Sequence, residues 1–251
     1  MIKHAKRLAT AGFDAIAIKP SSQSITSIDP SQIDAIVIDF EGPAHLPDPN
    51  QVAELSEESH VTLTAPVRAD GFDPLGDDGL FDQFEEADRF ALVAGNGAYL
   101  TEGEQRKAIA PRLGRAIKRY PDAWVGTEGI ERLALATGAS QFELLSPDTP
   151  TMLTGLRSAG FDGEIALYAP TVVTDDRQVA LSELKSYLSR RRRVKRALNN
   201  GSATHTDPQD VLLQAMDDYA LVGDESSIAQ QIESLKTAGA TTVVGYPAGT
   251  V

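Results

Sequence analysis

The strongest constraint on the fold is a junction that recurs four times along the sequence. Each copy has a helical segment, a glycine just past its end, two or three loop residues and an apolar run; the glycines are Gly12, Gly138, Gly160 and Gly239. A helix commonly stops with a left-handed residue at this position, where glycine has no Cβ to clash. In parallel α/β units the short loop then enters a buried strand. Four copies predict a wound array of αβ units.

The apolar runs bounded by turn residues predict eight strands: Phe13–Pro20, Asp34–Gly42, Val61–Arg68, Arg89–Gly95, Ala123–Thr127, Gln141–Ser146, Glu164–Pro170 and Thr241–Tyr246. Between them the sequence predicts helices at Gly103–Tyr120, Ile130–Thr137, Thr151–Ser158, Asp176–Leu198, Pro208–Tyr219 and Glu225–Ala238. Apolar strands separated by helices call for a parallel sheet covered on its outer face. Eight units in 251 residues predict one α/β domain over residues 1–251, a (β/α)8 TIM barrel. It is expected to be irregular, because no convincing helix joins the first two strands.

Charge and cysteine content limit the classes of function. The chain has 23 Lys+Arg against 36 Asp+Glu, a net charge of −13, and no Cys. The acidic surplus disfavours nucleic acid and anionic membranes as partners, and the missing cysteines exclude thiolate chemistry. The 15 Arg, 8 Lys and 21 Asp resemble the composition of proteins from salt-loving archaea. We therefore expect a soluble, cytoplasmic protein with a salt-adapted surface.

Polar residues follow the predicted strands at their C-terminal ends, where barrels of this kind place their chemistry. Asp39 and Glu41 lie two apart on one strand and share a face, so they can act as acid and base or bind Mg²⁺. Lys19, on the neighbouring strand, can neutralise one of them. Alternatively, the group forms a satisfied polar layer at the barrel mouth. The other strand-end candidates are Arg68, Asn96, Glu128 and Ser146. No spaced metal-ligand motif is present, so no metal site is assigned.

The only basic run is Arg190–Arg196, late in a predicted helix. Its cations suit the helix dipole and can pair with nearby acids. It can instead gather an anionic cofactor tail or a partner's acidic surface.

The last third of the chain resembles the bacterial luciferase-like barrel family. The segment 220–244, ALVGDESSIAQQIESLKTAGATTVV, is similar to that family's ending, and 165–176, IALYAPTVVTDD, is similar to its seventh strand. The resemblance implies a (β/α)8 barrel, frequently dimeric, that holds a flavin or deazaflavin at the strand ends. Its nearest branch is the deazaflavin-dependent one. This chain is shorter than active members, which implies a trimmed barrel.

The resemblance gives the candidate residues their roles. The cofactor is coenzyme F-420, a deazaflavin, or FMN, and the substrate is a small molecule. Glu41 or Asp39 handles the proton, and Lys19 and Arg68 polarise the ring or substrate. Asn96 and Glu128 orient the cofactor, and Ser146 and Thr149 hold its tail.

Two alternatives to this oxidoreductase stay open from the sequence. One is a degenerate, non-catalytic barrel that works as a cofactor-binding or partner subunit, docked through Arg190–Arg196. The other is a metal-assisted lyase or hydrolase built on Asp39, Glu41 and Glu128.

Overall fold

A computed structural model describes residues 8, 10–30, 33–127, 129–204 and 207–247. Its nine strands form one parallel sheet in which β6 also pairs with β7, so that eight of them close into a ring in the order β1-β2-β3-β4-β5-β6-β7-β9. The predicted (β/α)8 barrel is confirmed. The strands are β1 Ala15–Ile18, β2 Ala35–Ile38, β3 His60–Pro66, β4 Arg89–Val93, β5 Trp124–Gly126, β6 Gln141–Leu144, β7 Ile165–Val173, β8 Leu221–Gly223 and β9 Thr242–Pro247.

Helices cover the outside of the ring. Among the described residues they are α1 Pro49–Ser56, α2 Gly79–Gln83, α3 Glu102–Gln105, α4 Ile109–Arg119, α5 Glu131–Thr137, α6 Thr149–Ser158, α7 Arg177–Ser189, α8 Arg192–Thr204, α9 Pro208–Tyr219 and α10 Glu225–Ala238, with 3-10 turns at Ile25–Ser27 and Pro43–His45. No described helix is both long and apolar enough to cross a lipid bilayer.

The four junction glycines behave as the sequence predicts. Gly12, Gly138, Gly160 and Gly239 all have positive φ, between 72° and 128°. A β-carbon is disfavoured in this backbone region, which explains why the same residue type recurs at each helix end.

Side chains alternate between the ring interior and the helix layer along each strand. The interior is filled by a small aromatic and aliphatic cluster that includes Ala17, Val37, Trp124, Phe142 and Tyr168. The intervening residues pack outward into the main core beneath the helices. Continuing the inward phase past the strand ends places Lys19 after Ala17 and Asp39 after Val37.

Two predicted helices are each broken in two. The prediction Gly103–Tyr120 is interrupted between α3 and α4, because Pro111 lacks an N–H and is tolerated only in a first helical turn. The prediction Asp176–Leu198 is interrupted at Arg190 and Arg191, between α7 and α8. On a straight helix, Val194 would lie on a different face from Leu188, six residues earlier. The break lets both side chains enter one hydrophobic cluster.

Three further elements differ from the sequence expectation. Helix α1 was not predicted, although Asp48 accepts a hydrogen bond from the Asn50 N–H (2.9 Å) and Pro49 occupies the first helical position. The short α2 was also missed. Strand β8 adds a ninth strand outside the ring, where it pairs with the end of β7 from Thr171 to Val173.

Helices α7, α8 and α9 form what we call the helical excursion, residues 177–219, between β7 and β8. Its apolar side chains, including Leu184, Leu212 and Met216, make a hydrophobic cluster separate from the main core. The excursion therefore packs around a centre of its own beside the barrel mouth.

Candidate functional site

A cavity of about 720 Å³ lies at the C-terminal mouth of the barrel. Its volume falls in the range of sites that hold cofactors and drug-sized ligands. Aromatic and apolar walls come from Phe40, Phe142, Tyr168 and Tyr246, whereas polar groups come from the strand ends, the loop after β4 and the helical excursion. The cavity-lining candidates from the sequence are Lys19, Asp39, Glu41, Arg68 and Asn96.

Asp39 meets Tyr168 across the barrel interior. The Tyr168 hydroxyl donates a hydrogen bond of 2.5 Å to Asp39 Oδ2. Burial, followed by the nearby Asp39 carboxylate, raises the pKa of Tyr168 well above its ordinary value. Tyr168 is therefore a hydroxyl donor at any ordinary pH, and Asp39 is its acceptor.

Glu41 is a buried carboxylate, only 7% exposed, with three partners. Its Oε2 accepts a 2.9 Å hydrogen bond from the Ser21 N–H. Its Oε1 lies 3.8 Å from Lys19 Nζ and 3.5 Å from the Tyr99 hydroxyl. These contacts join the loop after β1 and the loop after β4 to the end of β2.

Lys19 supplies the positive charge on this side of the cavity. Its Nζ lies 4.6 Å from the centre of the Tyr246 ring. Burial opposes the charged form, but Tyr246, Asp39 and Glu41 outweigh it and raise the pKa of Lys19 above its ordinary value. The pair Asp39 and Glu41 thus shares one firmly protonated cation.

Arg68 and Asn96 line the cavity but are engaged with the backbone. The Arg68 guanidinium donates to the carbonyls of Ala94 (2.7 Å), Gly95 (3.0 Å) and Gln105 (2.7 Å). Asn96 Oδ1 accepts from the Ala98 N–H at 2.9 Å. Both residues fix the loop after β4, and their predicted contacts with a cofactor stay predictions.

Ser146 and Thr149 lie together but do not line this cavity. Thr149 Oγ1 accepts from the Ser146 N–H (2.9 Å) at the start of α6. The neighbouring Asp148 forms an ion pair with Arg193 (2.6 Å). That pair puts part of the Arg190–Arg196 run against an acid, as one of its two interpretations predicts. Glu128 lies outside the described residues.

The first two residues of the basic run have different surroundings, and the interpretation that they gather an anionic group stays a prediction. Arg190 and Arg191, at the break between α7 and α8, line the cavity. The Arg191 guanidinium stacks over the Tyr187 ring at 4.0 Å, and Arg190 Nε donates to the Ser186 carbonyl at 3.2 Å. These contacts place two guanidinium groups on the excursion side of the cavity.

Three cavity tyrosines were given no place in the site from the sequence, Tyr99, Tyr168 and Tyr187, and a fourth, Tyr246, was identified only as the polar end of the last predicted strand. The inward phase of β7 and β9 was a usable signal for two of them, because Tyr168 follows Ala166 and Tyr246 follows Val244. Thr127 is a further cavity residue, with φ of 66°. A β-branched residue in the left-handed region is a local strain of the kind found at binding sites.

The metal-assisted alternative has no support in the described part of the chain. There, no group of three or more His, Asp or Glu side chains is placed to hold a metal ion. The carboxylates of Asp39 and Glu41 are instead engaged by Tyr168, Lys19 and Ser21.

Comparison with solved structures supports the fold. A secondary alcohol dehydrogenase that depends on F-420, in complex with an F-420–acetone adduct, is similar with a TM-score of 0.60 and 13% identity, covering 93% of this chain and 92% of that one. The oxygenating constituent of 3,6-diketocamphane monooxygenase from the CAM plasmid of Pseudomonas putida, a type II Baeyer-Villiger monooxygenase in complex with FMN, gives a TM-score of 0.51 and 14% identity. It covers 99% of this chain and 86% of that one. The predicted resemblance to luciferase-like barrels is confirmed at the level of the fold.

Sequence comparison gives the family. No curated protein matches the chain. A family model described as "Family of unknown function (DUF7388)" matches residues 8–251, almost the whole sequence. The chain therefore belongs to the DUF7388 family.

Proposed function

We propose that this protein is a luciferase-like oxidoreductase that binds F-420 or FMN in the cavity at the barrel mouth. One observation carries the proposal: a cavity of about 720 Å³ with aromatic walls is lined by paired acids and a lysine from the strand ends and by two arginines from the helical excursion. One of the two similar barrels is in complex with an F-420–acetone adduct and the other with FMN, and both support the choice of ligand.

The residues present fit such a cofactor. Phe40, Phe142 and Tyr246 offer flat apolar surfaces for a fused ring system. Arg190 and Arg191 offer planar donors for a phosphate, which guanidinium groups bind in bidentate fashion. Since Ser146 and Thr149 do not line the cavity, we assign the phosphate to the arginines instead.

A bound flavin or deazaflavin would supply hydride transfer. The chain's own residues would position the ligand and handle a proton. Asp39 and Lys19 lie just past the C-terminal ends of β2 and β1, where the one accepts and the other donates hydrogen bonds. The loop after β4, fixed by Arg68, would shield these strand ends from water.

The test is an equilibrium titration of purified protein with F-420, FMN and riboflavin, followed by absorbance and fluorescence in high salt. We expect saturable binding of F-420 or FMN, with riboflavin weaker than FMN because it lacks the phosphate. Ala98→Trp, in the cavity wall, should abolish binding. Ala136→Trp, on the exposed face of α5, is the matched control and should leave binding unchanged.

If none of the three compounds binds, the proposal is wrong, and the non-catalytic barrel becomes the better explanation. The homodimer and the small-molecule substrate implied by the resemblance stay proposals. Sedimentation equilibrium would measure the oligomeric state.

A further inference from the structure

Asp39 and Glu41 are both candidates for proton handling, and their surroundings differ. Glu41 is held by a backbone N–H, by Lys19 and by Tyr99. Asp39 is held by Tyr168, from β7, and two strands, β1 and β9, separate β7 from β2 in the ring. This hydrogen bond therefore crosses the barrel interior and is not a contact between neighbouring strands.

The Tyr168 ring has little freedom to move. It stacks on Tyr246 at a centroid distance of 5.3 Å and meets Phe142 edge-on at 5.8 Å. The whole residue is only 7% exposed. The hydroxyl is thus directed by packing, and it costs little entropy to hold it against Asp39.

The proton in this pair belongs to the tyrosine. A tyrosine hydroxyl is ordinarily a weaker acid than an aspartic acid by about six pH units. A distance of 2.5 Å between the oxygens is typical of a hydroxyl donating to an ionised carboxylate. The other charged or titratable groups described around this part of the cavity are Lys19, Glu41, Tyr99, Tyr246 and Arg190, of which Lys19 and Arg190 are cationic.

We propose that Tyr168 is a positioning residue that keeps Asp39 ionised inside the cavity, and that Glu41 serves as the fixed counter-charge of Lys19. An ionised carboxylate can only accept hydrogen bonds. The ligand group that meets Asp39 is therefore a hydrogen-bond donor, such as the hydroxyl of an alcohol or the N–H of an amine. This last step rests on the proposed function, whereas the ionisation of Asp39 does not.

The experiment is a pH titration of ¹³C-labelled aspartate carboxyls by NMR, on protein without added cofactor. The Asp39 signal is identified by its loss in Asp39→Asn. We expect Tyr168→Phe, which keeps the ring, to raise the pKa of Asp39 by about one pH unit or more, a tenfold change in its protonation equilibrium. Tyr99→Phe, which removes a cavity hydroxyl near Glu41, is the matched control and should leave the Asp39 titration unchanged.

A folded Tyr168→Phe variant with an unaltered Asp39 titration would overturn the assignment, and so would a wild-type Asp39 that is protonated at pH 7. If Tyr168→Phe does not fold, a comparison of the wild-type protein with Asp39→Asn tests the proposal instead. The Tyr168 hydroxyl proton should resonate far downfield in the wild type and move upfield in Asp39→Asn, and an equal position in both would contradict the proposal. Because none of these measurements uses F-420 or FMN, they can succeed even if the cofactor titration fails.

Discussion

The closed ring and the helical excursion both contribute residues to the same cavity, but they do so in different ways. The ring supplies Lys19, Asp39 and Tyr168 from strands whose side chains alternate strictly between two layers. The excursion supplies Arg190 and Arg191 from a break between two helices, and it packs around its own apolar cluster. The first set is fixed by hydrogen-bonded strands, whereas the second depends on the packing of three helices.

This difference separates what can vary from what cannot. A change in the ring must respect the strand register and a filled interior. A change in the excursion can move its arginines without altering the ring. We therefore expect the two regions to differ in stability and in their response to substitution.

The largest expected effect comes from truncating one buried leucine in each of the two regions. Leu92, on β4, and Leu184, on α7, are both fully buried. Leu92→Ala and Leu184→Ala should each lower the unfolding free energy of the region in which the side chain packs by about 2–5 kcal/mol. We expect Leu92→Ala to weaken amide-hydrogen protection throughout the chain, and Leu184→Ala to weaken it in α7 and α9 alone. Uniform loss of protection in both variants would show that the two regions unfold as one.

The next prediction concerns the stability of the barrel at low pH. Asp73, 1% exposed in the loop after β3, pairs with Arg112 (2.7 Å) and Lys107 (3.0 Å). Burial acts against the charged form, but these two cations outweigh it and hold the pKa of Asp73 below its usual value. Its stabilisation is therefore present above the unfolded pKa and is lost as pH falls through the folded pKa.

Asp73→Asn should lower the unfolding free energy by about 2–4 kcal/mol at pH 7, because the partly buried Arg112 loses its carboxylate partner and Lys107 keeps only Asp70. Urea unfolding measures this value, and the difference from wild type should shrink below about pH 4. A deficit that is equally large at pH 3 would rule out the ion pairs as its source.

Glu143, on the outer face of β6, is expected to lower the stability of the barrel as pH rises. Its buried Oε1 has no hydrogen-bond partner among the residues that the structure describes, and burial, with the nearby Glu131, raises the pKa of Glu143 to about 7. An acid with a raised pKa destabilises the fold as pH rises through that value. Glu143→Gln should therefore gain about 1–3 kcal/mol relative to wild type between pH 5 and pH 9.

Chemical unfolding at the two pH values checks the Glu143 prediction, with the exposed Glu58→Gln as control. A pH-independent difference between Glu143→Gln and wild type would mean that Glu143 is ionised in the folded protein throughout this range.

The smallest effect concerns the arginines of the excursion. Replacing both Arg190 and Arg191 by Ala should weaken FMN binding about tenfold, near 1.4 kcal/mol, and leave riboflavin binding unchanged. Arg192→Ala, in the same run but away from the cavity lining, is the control. Equal losses for FMN and riboflavin would assign the arginines to the shape of the cavity and not to the phosphate.

Periodicity explains which parts could be predicted from the sequence. Helix-terminating glycines and apolar runs are local signals, so the ring strands and most helix positions were predictable, and Asp39 and Glu41 could be placed at the mouth. Tyr168 was missed because an aromatic residue within an apolar run has the same pattern whether it fills a core or directs a hydroxyl. The break at Arg190 depends on where Val194 packs, which is a tertiary fact. For the same reason, the sequence could not distinguish the cavity-lining Arg190 from Arg193, which pairs with Asp148.

Strand β7 extends two residues beyond Thr171, its last residue paired with β9, and its end from Thr171 to Val173 pairs with β8. The strand that leads into the excursion, β7, and the strand that follows it, β8, are therefore hydrogen-bonded side by side. Because this pairing lies outside the ring, helices of another length or charge could replace the excursion while the barrel stays closed. Such an exchange would change the cavity residues that come from the excursion and leave those of the ring in place.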